Sequence, residues 1–149
     1  MDEINKAILA QLIKNSRSTA SEISKHVNLS VPAVAERIRK METSGMINGY
    51  TVKLDRKQLG LQLTAFIMVT LDHTSSIANF RDKMVACPDV LECHHLAGQS
   101  DYLLKIRVEN TDQLERFLMD VLKKTAGVAS SNTLICLSTL KEELNVLEV

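Results

Sequence analysis

The stretch TASEISKHVNLSVPAVAERIRKMETSG, residues 19–45, decides how this chain is read. A helix begins at Ser18 or Thr19, with Glu22 three residues on from Thr19 as in a capping box. Ala20, Ile23 and Val27 share one face of that helix, and Asn28, which tolerates left-handed backbone, ends it. Ser30 then caps a second helix, with Pro32 in the first turn where a missing N–H costs nothing and Gly45 closing the far end. Upstream, Ile4, Ile8 and Leu12 recur every four residues beside Leu9 and Ile13, behind Asp2 as N-cap, and Asn15-Ser16-Arg17-Ser18 ends the segment. Three short helices are therefore expected, the last two joined by a tight turn.

At about 100° per residue, Val34, Ile38 and Met41 of the third helix face inward. Pro32, Ala33, Glu36, Arg39 and Lys40 fall opposite, with Arg37 on the flank. Small residues first and Arg37-x-Arg39-Lys40 after them suit entry into a major groove. The backbone approaches closely at Ala33 while cations reach base edges and phosphates. The bland alternative is an ordinary amphipathic helix with a solvated basic face.

Charge follows the same division. The 149 residues balance 18 Lys/Arg against 18 Asp/Glu. Residues 1–57 hold ten bases and six acids, a net +4, which leaves −4 for residues 58–149. A basic first third beside an acidic remainder suggests that one part meets a polyanion and the other does not. With 45% hydrophobic residues, a disordered or collagenous chain is excluded. No apolar run approaches the roughly 18 residues of a membrane span, and no basic n-region precedes an apolar stretch. Three cysteines without C-x-x-C spacing suit reduced thiols, so the expected compartment is the cytoplasm.

Beyond Gly45, Asn48-Gly49 lies between apolar and β-forming residues, Met46 to Val52, and reads as a short hairpin or a strand entering a linker. The expected domains are residues 1–52, a polar linker 53–60, and residues 61–149. The second domain contains a faint repeat at a shift of 37 residues: Thr74 on Thr111, Ile77 on Leu114, Phe80 on Phe117, Met84 on Val121 and Val85 on Leu122. In each copy a β-rich run (61–71, 102–108) leads into a Thr- or Ser-capped helix, and a second strand follows (90–96, 128–137). Strand-helix-strand twice is the ferredoxin-like βαββαβ sandwich, so the fold class is α+β.

Cys93-His94-His95 is the one cluster that invites a metal. Strand alternation sends Cys93 and His95 to one face and His94 to the other, and neither Cys136 nor His73 is required by spacing to join them. A structural zinc site wants four ligands, so packed cysteine and hydrogen-bonded histidine are the default and no metal is expected. No nucleophile elbow, Walker loop, H-E-x-x-H or G-x-G-x-x-G is present, and Ser100 sits at a poor turn for a nucleophile, so no enzyme is expected. Gly98-Gln99-Ser100-Asp101 joins two strands and gathers backbone N–H groups, an amide, a hydroxyl and a carboxylate. That set could hold an amino acid zwitterion; alternatively Gly98 supplies a turn and Asp101 caps it.

The residues also carry a family resemblance. Ile8-Leu9-x-x-Leu12-x-x-Asn15-x-Arg17, then Glu22-Ile23-x-x-x-Val27-x-Leu29-Ser30, and Val34-x-x-Arg37-Ile38-x-x-Met41-Glu42-x-x-Gly45-x-Ile47-x-Gly49-Tyr50 resemble the Lrp/AsnC transcription regulators. So do Glu92-Cys93-His94, Gly98-x-x-Asp101-Tyr102-Leu103-Leu104-Lys105, Gly127-Val128 and Thr133, and the likeness is strongest to the leucine-responsive type. Asn28 stands where Gly is more usual, and Gln99-Ser100 replaces a frequent acidic-aromatic pair.

The resemblance implies an N-terminal (winged) helix-turn-helix domain linked to an effector-binding and oligomerisation sandwich. It implies a sequence-specific regulator of transcription whose oligomeric state or DNA affinity responds to an amino acid. The implied readers of double-stranded DNA are Arg17, Ser30, Pro32, Ala33, Glu36, Arg37, Arg39 and Lys40. The implied effector residues are Gly98, Gln99, Ser100 and Asp101, with Thr133, Leu134, Ile135 and Cys136 of the last strand. Dimers through the sandwich sheets, assembled into octamers, and no cofactor beyond the amino acid complete the expectation. The reading from another class is an amino acid-sensing module that regulates a metabolic enzyme without DNA; the helix-turn-helix spacing and the basic head argue against it.

Overall fold

The computed structural model describes residues 1–72, 76–145 and 147. The chain divides into two compact units: Met1–Leu54 with Lys141–Val149, and Asp55–Leu140. The described residues of the terminal stretch, 141–145 and 147, fall with the helices. Lys53 carries that contact, through an ion pair to Glu143 at 3.6 Å and a bond to the Glu142 carbonyl at 3.3 Å.

The first unit is three helices, α1 (Glu3–Lys14), α2 (Ala20–Val27) and α3 (Val31–Thr43). Each starts on the cap expected of it. Asp2 accepts from the Asn5 N–H, Thr19 and Glu22 complete a reciprocal capping box, and Ser30 accepts from the Ala33 N–H. Each such bond satisfies a helix N–H that would otherwise have no intrahelical partner. Asn28 turns the chain at φ 52°, and Gly45 does so at φ 74°, a conformation that glycine adopts without steric cost. The turn at Gly45 returns the Ile47 N–H to the Met41 carbonyl at 3.1 Å and sets Ile47 against the core. That core is Ile8, Leu12, Ile23, Val34 and Met41, the inward residues of all three helical stripes.

Neither the hairpin nor the linker strand expected at 46–52 forms. No residue of that stretch pairs in a ladder, and Gly49 lacks the positive φ that an Asn-Gly hairpin turn demands. A single β-prone segment has no strand to pair with inside a helical unit. Tyr50 and Val52 accordingly stand exposed.

The second unit is one antiparallel sheet of β1 (Leu63–Leu71), β2 (Val90–His95), β3 (Tyr102–Val108) and β4 (Val128–Cys136), in the order β2-β3-β1-β4. Two helical segments cross between strands: α4 (Ile77–Ala86), and α5 (Thr111–Arg116) running on as a π-helical turn, Phe117–Leu122. One sheet face is covered. Ala65, Ile67 and Val69 of β1 and Tyr102, Leu104, Ile106 and Val108 of β3 are buried with Phe80, Met84, Leu114, Phe117 and Leu122. The alternate residues, Phe66, Met68, Leu103, Lys105 and Arg107, line the opposite face.

The 37-residue repeat holds at Phe80 and Phe117 and fails after them. Phe80 and Met84 are buried four residues apart, whereas Phe117 and Leu122 are buried five apart, because the π turn inserts an extra residue. Leu122 is consequently buried while Val85, its repeat partner, is 77% exposed. Thr74 and His73 lie outside the described residues. Gly127, at φ 87°, packs on Ser76, where an added Cβ would overlap the serine Cβ and Oγ.

Candidate functional site

The helix-turn-helix surface is built by α3. Val34 and Met41 anchor it to the core, which leaves Pro32, Glu36, Arg39 and Lys40 exposed and Ala33 half-buried near the N-terminal end. Glu36 organises the two cations beside it. Arg39 grips its carboxylate with two bonds, Nε–Oε2 at 2.8 Å and Nη2–Oε1 at 2.7 Å, and Lys40 stands 3.9 Å away. The Arg39 guanidinium beside Glu36 holds that carboxyl below the ordinary range. An arginine fork held flat by a neighbouring carboxylate presents its remaining N–H groups in a defined plane. Ser30 spends its acceptor on the cap, and Arg17, just before the second helix, is exposed.

Arg37 behaves differently from the expectation of an outward reader. Its Nη1 donates to Asp2 Oδ2 at 2.7 Å and to Asn5 Oδ1 at 2.9 Å, and its side chain is only 31% exposed. Asp2 caps α1 with one oxygen and takes Arg37 with the other, and that guanidinium is the first cause of its lowered pKa. Arg37 is therefore a tie between the flank of α3 and the start of α1. Sequence reasoning missed Asp2 and Asn5 as its partners, since nothing local links positions more than thirty residues apart.

In the sheet unit, Gly98–Asp101 forms the β2–β3 turn, and two of its expected features change. Gly98 does not adopt a positive φ, so the turn makes no demand for glycine there. The Asp101 carboxylate accepts from the Leu71 N–H at 2.7 Å, while its own N–H bonds to the Val69 carbonyl at 2.9 Å. It ties the β2–β3 turn to the end of β1.

The two halves of the expected effector set lie apart within the chain. Tyr102, next to Asp101, pairs with Val69, whereas Cys136 pairs with Thr64. Five residues at about 3.3 Å each separate those levels by roughly 16 Å along the sheet. Thr133 and Ile135 pair with Ile67 and Ala65 on the helix-covered face; Leu134 and Cys136 pair with Phe66 and Thr64 on the other.

The Cys-His-His run alternates as expected. Cys93 packs against the core, where burial pushes its thiol up, and His95 stacks on Tyr102. His94 meets Glu92 on the opposite face at 3.2 Å. Among the described residues no three His, Cys, Asp or Glu side chains converge as a metal site.

Comparison with known proteins gives this arrangement its family. Residues 64–146 match the Lrp/AsnC ligand binding domain, and residues 1–48 match a winged helix-turn-helix DNA-binding domain. The chain belongs to the Lrp/AsnC family.

As an Lrp/AsnC protein, it is 32% identical over 148 residues to a leucine-responsive regulatory protein of Rhizobium meliloti, covering 98% of this chain and 95% of that one. It is 31% identical over 140 residues to the HTH-type transcriptional regulator LrpC of Bacillus subtilis, covering 94% of each. Among solved structures it resembles the transcriptional regulator NMB0573/L-Met complex from Neisseria meningitidis, with TM-score 0.94 and 28% identity over 98% of this chain and 96% of that one. This Lrp/AsnC chain is thus a transcriptional regulator with a DNA-binding head and a ligand-binding domain, from a family of regulators and not of enzymes. Among its described residues no helix is long and apolar enough to cross a membrane.

Proposed function

We propose that the protein binds operator DNA through the exposed face of α3 and that an amino acid effector, taken up by the sheet unit, alters that binding. The observation that carries this reading is the face itself. Pro32 and Ala33 leave room for a groove wall, and Glu36, Arg39 and Lys40 follow within two turns on a helix anchored by Val34 and Met41. Arg39 and Glu36 supply directional contacts to base edges, and Lys40, Arg17 and the Ser30 hydroxyl supply contacts to phosphate. Arg37 contributes by holding the helix on α1.

One such helix carries few phosphate-reaching cations, so two copies are required, reading half-sites about 34 Å apart on one face of the duplex. The open sheet face provides the pairing surface. Phe66 and Leu134 sit side by side there, as do Met68 and Leu103, an apolar strip that a second sheet would cover. Pairing two sheets also supports an effector site shared between copies, since Gly98–Asp101 and Thr133–Cys136 stand apart within one chain. Assembly beyond the dimer, up to an octamer, follows the family expectation.

Gel shifts of the full chain on an operator duplex across a salt series test the DNA reading. Lys40→Ala is expected to lower the slope of log affinity against log salt by about one. Unchanged affinity and slope in both Arg39→Ala and Lys40→Ala would reject this face. A raised melting temperature with one of the twenty amino acids tests the effector reading.

A further inference from the structure

Beside the β2–β3 turn, α4 presents a cation that nothing above employs. Arg81 follows the buried Phe80 and donates Nε–H to the Tyr102 hydroxyl at 2.6 Å, with its guanidinium carbon 5.7 Å from the tyrosine ring centroid. Its Nη2 lies 3.4 Å from His95 Nδ1, and the His95 ring stacks on the same tyrosine with centroids 5.0 Å apart. Tyr102 is 2% exposed and packs on Phe80 at 4.8 Å, so a fixed side chain braces both the guanidinium and the imidazole. An arginine can only donate; its contact with Nδ1 therefore needs a lone pair there and leaves the ring hydrogen on Nε2. Arg37, Arg39, Lys105 and Lys124 each meet a carboxylate, whereas Arg81 has none within ion-pair distance among the described residues. His95 and Tyr102 form the last pair before the Gly98–Asp101 turn, where residues 97–99 are exposed.

We propose that Arg81 and His95, braced on Tyr102, receive the carboxylate of the amino acid effector. The guanidinium fork supplies two parallel N–H donors and the His95 Nε2–H a third, the arrangement that a planar monoanion accepts. A single guanidinium in a unit whose sequence carries a net negative balance suits a carboxylate better than a phosphate dianion. The site deepens the effector reading and rests on it: Asp101 is occupied with Leu71, so the anion-binding half of the pocket comes from α4 and β2.

Isothermal titration of the full-length protein tests this, using whichever of the twenty L-amino acids most raises its melting temperature, together with the carboxamide of that amino acid. The amide is expected to bind the parent at least tenfold more weakly. Arg81→Gln is expected to weaken the amino acid at least tenfold and to bind acid and amide equally, while DNA affinity without ligand stays within twofold. Arg81→Lys keeps the charge without the fork and guards against a folding defect; it is expected to weaken the acid at least threefold. Parent-like binding of the amino acid by both variants would overturn the site and leave the effector reading standing. Failure of all twenty amino acids to bind the parent would overturn both.

Discussion

The helical and sheet units close their cores over very different distances along the chain. In the helical unit the caps at Asp2, Thr19 and Ser30 each span three residues, and among its tertiary contacts Arg37 to Asp2 is a polar bond spanning 35. In the sheet unit the central strand β1 is flanked by β3 and β4, which lie tens of residues downstream, and its buried alternation has meaning only with both in place. The contrast teaches where each unit is vulnerable. Helices that carry their own caps tolerate loss of any single one, whereas a shared core depends on a few large side chains.

Truncating the shared core should produce the largest effect. Phe80→Ala removes a fully buried ring that touches Tyr102, and a loss of about 3–5 kcal/mol in urea unfolding is expected. A loss under about 1 kcal/mol would mean the sheet core does not hinge on this helix. Gly127→Ala should come next, at about 2–4 kcal/mol, because the new methyl both meets Ser76 and sits at φ 87°. In the helical unit, Thr19→Ala removes one half of the capping box and should cost only about 1 kcal/mol by the same measurement. A Thr19 effect equal to that of Phe80 would erase the distinction between the units.

The long-range tie in the head sharpens the comparison through DNA affinity. If Arg37 positions α3, Asp2→Asn and Arg37→Ala should each weaken operator binding several-fold, and the double variant should be no worse than Arg37→Ala. A direct base reader would instead leave Asp2→Asn harmless. Gel shifts on the four proteins decide between these.

The smallest effect concerns pH. The Lys105 ammonium at 2.9 Å, helped by His94, holds the Glu92 carboxyl below its ordinary range. Since the folded pKa is the lower one, the stabilisation is complete above the unfolded value and is lost as pH falls through the folded one. Glu92→Gln should therefore cost up to about 1 kcal/mol at neutral pH, a cost that shrinks as acidification protonates the folded carboxylate, read from urea midpoints along a pH series.

Much of the candidate DNA surface was legible from periodicity. The 100° spacing that put Val34 and Met41 inward also exposed Glu36, Arg39 and Lys40, and the strand alternation that buried Tyr102 and Leu104 turned Leu103 and Lys105 to the open face. The effector residues were less legible because their geometry comes from pairing. Gln99 and Ser100 are neighbours in sequence, but the partner of Asp101 is the N–H of Leu71 and the braces of Arg81 are Tyr102 and His95. Neither a hairpin nor a strand forms at 46–52, because β propensity specifies a willingness to pair and supplies no partner.

By itself the sequence determined the elements and their buried faces, since capping, helical period and strand alternation act between residues a few positions apart. Only the tertiary structure decided which charge each arginine meets. Arg37 finds Asp2, Arg39 finds Glu36 and Arg81 rests on Tyr102, because the contact is set by which elements pack together and by how little room a buried flank leaves a guanidinium.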